Sequence, residues 1–172
     1  MTQEREIQAI AALNQWGVPF LYSPLAVGAK PSLEIHDMLE RLIQSGSARL
    51  RLGVTAFFLV HSEEAPGVFP TLSLLKEERC LILKYYYTAA VYLQRLWKSQ
   101  LAHWGNVSLP DYFSKELRLP DPACLHGRLG LQVLGEALCG VAHESYNYGA
   151  SFEALVHILQ QRGKSCETSC HP

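Results

Sequence analysis

The stretch that decides the fold is Leu74–Trp104, LLKEERCLILKYYYTAAVYLQRLWKSQLAHW. It contains no Gly or Pro, so no residue in it forces the backbone out of a helix. As one helix it would be roughly 45 Å long, at about 1.5 Å of rise per residue. Its centre, Cys80–Leu93, is apolar on almost every side, which is typical of a helix surrounded by other helices. We therefore predict a long central helix as the core of the domain.

The rest of the chain favours further helices around this one. Apolar residues at helical spacing, preceded by capping residues and followed by breakers, predict helices over 2–15, 32–45, 111–117, 123–144 and 151–161. Two stretches also fit short β segments, near 18–27 and 48–60. The second alternates at Arg49–Leu52 like a strand, yet Leu50, Val54 and Phe57 share one helical face. The predicted fold class is a mostly α single-domain bundle of about six to seven helices, spanning 1–163, with a flexible tail over 164–172.

Composition and charge narrow the class of protein. The 172 residues are 48% hydrophobic and 18% charged, which suits one folded domain with a real core. A net charge of −1 argues against a protein that coats nucleic-acid duplexes. The start TQEREIQ lacks the basic and apolar regions of a signal peptide, and polar residues interrupt the apolar stretches, so we expect no membrane span. Five scattered cysteines suggest reduced thiols, and we expect a cytoplasmic protein.

One stripe of the central helix is charged. At about 100° per residue, its polar members fall on a single narrow face beside several tyrosines. Such a stripe is either the solvated edge of a packed helix or a contact surface, since Tyr and Arg are enriched where proteins bind. The predicted partner-binding residues are Glu77, Lys84, Tyr85, Tyr87, Thr88, Arg95 and Lys98. The function predicted first is a non-enzymatic interaction or regulatory domain that binds a partner protein or forms a homo-oligomer.

No complete catalytic, nucleotide or metal motif is present, and we predict no cofactor. Cys139 and His143 lie four apart on a predicted helix, while Cys166 and Cys170 lie in the tail. Together with His171 of the tail, these four are weak candidate zinc ligands, and without a C-x-x-C pair we predict no metal site. Four glycines between positions 127 and 140 lack the Lys-Ser or Lys-Thr of a phosphate loop. We expect them to allow close packing against another helix or an aromatic ring.

Two resemblances support an alternative function. Leu13–Ala29, LNQWGVPFLYSPLAVGA, resembles the opening of a small nucleotidyltransferase, without that family's Gly-Ser turn and metal-binding aspartates. The helical remainder resembles the HEPN domains that partner such enzymes in toxin–antitoxin modules. The resemblance implies a nucleic-acid-binding component of a defence module. RNA-cutting HEPN domains carry an Arg closely followed by a His, whereas seven residues separate Arg95 and His103 here, so no RNase motif is predicted. This alternative requires one basic face made of Arg49, Arg51, Lys84, Arg95 and Lys98.

Overall fold

A computed structural model describes residues 3–18, 20–21, 33–104, 107–122 and 127–168, with side chains up to residue 162. These residues form seven α-helices and one 3₁₀-helix, Ser62–Gly67, and they contain no β-strand. The α-helices are α1 (Gln3–Gln15), α2 (Ile35–Gln44), α3 (Ala48–Val60), α4 (Val68–Leu74), α5 (Glu77–Leu96), α6 (Gly127–Val141) and α7 (Tyr148–Thr168). The predicted fold class, a mostly α bundle, is confirmed.

The central position of α5 is also confirmed. All residues from Tyr85 to Leu93 are buried, because α3 packs along one side of α5 and α6 along another. Helix α2 contacts α1, α3, α4 and α5, while α7 packs mainly against α6. The apolar sequence of α5 therefore matches its surroundings on every side. Within the described residues, no helix has both the length and the apolar character needed to cross a membrane.

The ends of the central helix differ from the prediction. Helix α5 begins after the extended residue Lys76 and ends before a turn at Trp97. The prediction of one helix over Leu74–Trp104 is therefore too long at both ends, and 97–104 form turns. The reason at the C-terminal end is a tertiary contact, since the Trp104 indole N–H donates to the Leu159 carbonyl at 2.8 Å. That hydrogen bond holds the turns of residues 97–104 against α7, so they do not continue α5.

Of the two predicted β segments, 48–60 is helical. Ser47 caps α3, because its hydroxyl accepts a hydrogen bond from the Leu50 amide at 3.4 Å. Apart from Arg49, every residue of α3 is buried, so the apolar alternation in its first turn reflects burial on all sides and not a strand. The segment 18–27 lies mostly outside the described residues.

Three other boundaries differ from the sequence-based prediction. Residues 65–70, where two prolines predict a loop, form the end of the 3₁₀-helix and the start of α4. Helix α7 begins before Ser151 and continues to Thr168, into the predicted tail. The predicted helix 111–117 is only one turn, since the Leu117 amide bonds to the Phe113 carbonyl but Arg118 then adopts a left-handed φ of 55°.

Residues 107–122 form a covering segment that crosses α5 on its charged side. Its hydrogen bonds and ion pairs with α5 are spread along the helix from Lys84 to Arg95. They join Lys84 to Glu116, Tyr87 to Pro110, Tyr92 to Pro120, Gln94 to Val107 and Leu109, and Arg95 to Asp121. The stripe that the sequence placed in solvent therefore lies largely under this segment.

Candidate functional site

The predicted stripe of α5 is not one continuous open surface. Thr88 is fully buried and donates its hydroxyl hydrogen bond to the Lys84 carbonyl at 2.7 Å. Lys84 and Arg95 are each paired with an acidic side chain of the covering segment. Glu77 and Lys98 are exposed. Because it is buried, Thr88 is unavailable to a partner. The sequence pattern gave its position on the helix but could not show what covers it.

The two tyrosines predicted beside the stripe are buried as well. Tyr87 is fully buried and its hydroxyl donates to the Pro110 carbonyl at 2.8 Å. Burial raises the pKa of Tyr87 above its ordinary value, and burial also raises the pKa of Tyr85. Their predicted role as direct contact residues is wrong for this reason. Tyr87 acts instead as the base of an aromatic cluster that does reach the surface.

Two rings above Tyr87 form an exposed pair, which we call the aromatic platform: Phe69 of α4 and Tyr112 of the covering segment. Their ring centroids are 4.9 Å apart, and their side chains are 47% and 37% exposed. Tyr112 stacks on Tyr87 with centroids 5.5 Å apart and planes 18° from parallel. Phe113 lies beneath, in edge contact with Phe69, Tyr87 and Tyr112.

A polar rim borders the aromatic platform. Lys84 Nζ lies 2.6 Å from Glu116 Oε1 and 5.6 Å from the centre of the Phe113 ring. Lys84 is therefore held by a carboxylate and a ring face together. Of the predicted partner-binding residues, Tyr87 contacts the platform directly through Tyr112, and Lys84 lies next to the platform through Phe113, which contacts both of its rings.

Arg51 contradicts the predicted nucleic-acid face. Its side chain is only 3% exposed, and its Nη2 lies 2.5 Å from Glu144 Oε2. Its Nη1 donates to the Ser45 carbonyl at 2.6 Å. Arg49, two residues earlier, is exposed. Because the guanidinium of Arg51 is used inside the fold, the five predicted cations do not form one basic surface.

Tyrosine hydroxyls complete the polar network around Arg51. The Tyr86 hydroxyl lies 3.3 Å from Arg51 Nε and 2.8 Å from the Tyr148 hydroxyl, and Tyr148 donates to Glu144. Burial raises the pKa of Tyr86 to about 12. Burial alone would lower the pKa of Arg51, but its hydrogen bond to Glu144 and its contacts with Tyr86 leave it raised. The Arg51 guanidinium therefore stays charged, and the network joins α3, α5 and α7.

The cysteine and histidine candidates do not assemble a metal site among the described residues. Cys139 donates its thiol hydrogen to the Tyr146 carbonyl at 3.3 Å. His143 lies beyond the end of α6 with a left-handed φ of 50°, so the two residues do not share a helical face as predicted. The side chains of Cys166 and Cys170 lie outside the described part of the chain. No three His, Cys, Asp or Glu residues that are described could hold a metal ion together.

The two larger of the surface cavities recorded among the described residues lie away from the aromatic platform. One, of about 340 Å³, lies between α6 and α7, with Leu131, Gly135 and Phe152 at its buried floor. The other, of about 360 Å³, lies between the last turn of α5 and the described residues Leu101, Ala102, Val107 and Ser108, and Arg95 and Lys98 line it. The second cavity therefore brings together two cations of the predicted stripe.

No protein-family model matches the chain, and no curated protein or solved structure matches it either. The resemblances to nucleotidyltransferases and HEPN domains therefore stay predictions, and the functional argument depends on the geometry of the described residues.

Sequence reasoning missed Phe69 and Tyr112. Phe69 lies within a segment expected to be a loop, where a single aromatic residue gives no periodic signal. Tyr112 follows Pro110-Asp111 and is adjacent to Phe113 in a polar segment. That adjacency is the only indication in the sequence that one ring points outward and the other inward. Recognising their contact required the path of the covering segment over α5.

Proposed function

We propose that this chain is a protein-interaction domain that binds a partner protein through the aromatic platform. The observation that carries the proposal is the contact between Phe69 and Tyr112, which expose large parts of adjacent rings. Isolated exposed apolar residues are common, but contiguous ones bordered by polar groups are typical of binding surfaces. Aromatic residues also supply a large share of the binding energy at protein interfaces.

The platform is held in place before any partner arrives. Tyr112 rests on the ring of Tyr87, and Tyr87 is fixed by its hydrogen bond to Pro110. Rings that are already ordered lose little conformational entropy when they become buried in an interface. This favours the platform over single exposed side chains as the centre of a contact.

The charged rim suits the edge of the same interface. Glu116 is half exposed and is paired with Lys84 at 2.6 Å. Exposed ion pairs contribute little to affinity, but their charges orient an approaching partner and disfavour wrong ones. The occupant proposed is therefore a protein that presents an apolar side chain to the two rings and polar groups to Lys84 and Glu116. A second copy of this chain is an outcome that the experiment distinguishes.

A photo-crosslinking amino acid at position 69 tests the proposal in cells that naturally make the protein. We expect one specific crosslinked species, identified by mass spectrometry. The matched control carries the same probe at Leu129, which is 52% exposed on α6. A crosslinked dimer of this chain, with a mass in solution that rises with concentration, would assign self-association.

Affinity measurements with the identified partner then separate binding from folding. Phe69→Ala, alone and with Tyr112→Ala, should weaken binding by about 30-fold or more, the effect of losing one interface hot spot. Leu129→Ala should leave affinity unchanged, and circular dichroism must show that each variant is folded. The proposal is wrong if position 69 crosslinks no more specifically than position 129 and the protein stays monomeric at its highest soluble concentration.

A further inference from the structure

The cavity at the end of α5 is lined by both hydrogen-bond donors and apolar side chains. Its polar lining includes Arg95, Lys98 and Ser108, and its apolar lining comprises Leu101, Ala102 and Val107. Its volume of about 360 Å³ lies in the range of small-molecule sites. The described residues that line it include no Asp or Glu. A ligand that fits this lining carries an acceptor-rich anionic group and a short apolar part.

The positive charge of the cavity is only weakly compensated. Arg95 Nη1 lies 3.9 Å from Asp121 Oδ1, and the Asp121 side chain is 65% exposed. An exposed pair at that distance is weak and leaves the guanidinium able to bind another anion. Lys98 is exposed and makes no ion pair within the described part of the chain. Two cations on one cavity wall therefore favour an anion, most strongly one with two negative charges.

Gln94 fixes the opposite wall of the cavity. Its Nε2 donates to the Val107 carbonyl at 2.9 Å, and its Oε1 accepts from the Leu109 amide at 2.7 Å. Both ends of one side-chain amide thus hold residues 107–109 against α5. The cavity is formed by this contact before a ligand enters, so binding needs little reordering of the protein.

We propose that this cavity binds a small phosphorylated molecule, with its phosphate against Arg95 and Lys98. The planar guanidinium can donate two parallel hydrogen bonds to a phosphate, while the ammonium adds a point charge and the Ser108 hydroxyl a further donor. Val107 and Leu101 provide the surface for a short carbon chain. A small ligand is favoured over an RNA strand, because binding along a strand needs a row of free cations and Arg51 is buried in an ion pair.

Titration with three probes tests the class of ligand. Inorganic phosphate, n-butyl phosphate and butyrate are added at constant ionic strength, at a pH where phosphate is a dianion, and backbone amide shifts are followed by NMR. Saturable shifts are expected at Lys98, Leu101 and Ser108. Butyl phosphate should bind more tightly than inorganic phosphate, by roughly fourfold for each methylene that becomes buried. Butyrate should bind the most weakly of the three.

Variants that each remove one positive charge distinguish binding at this site from a general attraction of anions to the protein. Lys98→Gln and Arg95→Gln should each weaken butyl phosphate binding by about tenfold, since each removes a charge-assisted contact. Arg49→Gln, which removes an exposed charge on α3, should have no effect. The proposal is overturned if shifts do not saturate, if Arg49→Gln weakens binding equally, or if single-stranded RNA displaces butyl phosphate and binds far more tightly.

Discussion

The ring of Tyr92 occupies the space that a side chain at position 130 would need. A Cβ added to Gly130 would lie less than 3.0 Å from three atoms of that ring, including its hydroxyl oxygen. Tyr92 cannot simply move aside, because it is fully buried and its hydroxyl donates to the Pro120 carbonyl of the covering segment. Gly130→Ala should therefore lower the free energy of unfolding by about 1–3 kcal/mol, the usual cost of overpacking a core. Urea denaturation measures this directly.

Gly140 in the same helix provides the matched control. A Cβ added there would meet no atom within 4 Å. Gly140→Ala should raise the free energy of unfolding by up to about 1 kcal/mol, because alanine favours helix over glycine. Equal effects of the two substitutions would contradict close packing as the reason for Gly130.

These glycines show how far the sequence could predict the fold. A helix with four glycines and no phosphate-loop residues predicts close packing, and the structure confirms it at Gly127, against Leu96, and at Gly130. The sequence could not show which glycines face a neighbouring residue, so the prediction of close packing is wrong for Gly140. Burial of α5 on almost every side was predictable from Cys80–Leu93, because its composition leaves only a narrow polar stripe.

The candidate site was far less predictable. The charged stripe on α5 is real as a pattern, but the covering segment lies on it and has no periodicity of its own. Arg51 illustrates the same difficulty. In the sequence it alternates with apolar residues, a pattern that predicts an exposed cation. Its partner Glu144 lies 93 positions away in sequence. Local patterns carry no information about such a contact.

The ion pair between Arg51 and Glu144 should be costly to break from one side. Arg51→Met leaves a partly buried carboxylate without its cation and should lower the free energy of unfolding by about 3 kcal/mol, the lower end of the range for buried pairs because Glu144 is 20% exposed. Glu144→Gln leaves the more deeply buried guanidinium without its anion and should cost at least as much. Chemical denaturation of both variants provides the measurement.

A double variant distinguishes the pair from its separate residues. Arg51→Met with Glu144→Leu removes both charges, so it should be more stable than the sum of the single changes predicts, by about 0.5–3 kcal/mol. Strict additivity would mean that Arg51 stabilises the fold through its bond to the Ser45 carbonyl rather than through Glu144.

Buried tyrosines should make the protein sensitive to alkaline pH. Burial raises the pKa of Tyr86 to about 12, whereas a phenol in the unfolded chain ionises near 10. Between these values the unfolded state loses a proton that the folded state keeps. The stabilising contribution is therefore complete below about pH 10 and is lost as the pH rises towards 12. Burial raises the pKa of Tyr148 in the same direction.

Thermal melts across this pH range measure the effect. Tyr86→Phe removes one of the titrating groups, so its stability should fall less steeply with pH, by about one proton or 1.4 kcal/mol per pH unit. The variant is expected to be less stable at neutral pH, because Arg51 loses a hydrogen-bond partner. An unchanged slope would show that Tyr86 is not responsible for the alkaline transition.

The Gln94 side chain should control the exchange of a single backbone amide. The Leu109 amide donates to Gln94 Oε1 at 2.7 Å, so Gln94→Met removes its acceptor and should speed its hydrogen exchange by about fivefold, as expected for a hydrogen bond worth about 1 kcal/mol. Gln94→Glu retains an acceptor for Leu109 but loses the donor to Val107, and should preserve most of the protection. The Leu101 amide, which bonds to the Trp97 carbonyl at 3.0 Å, is the internal reference. Faster exchange at Leu101 as well as Leu109 would mean that the substitution loosens the whole end of α5, and that Gln94 does not act on the covering segment alone.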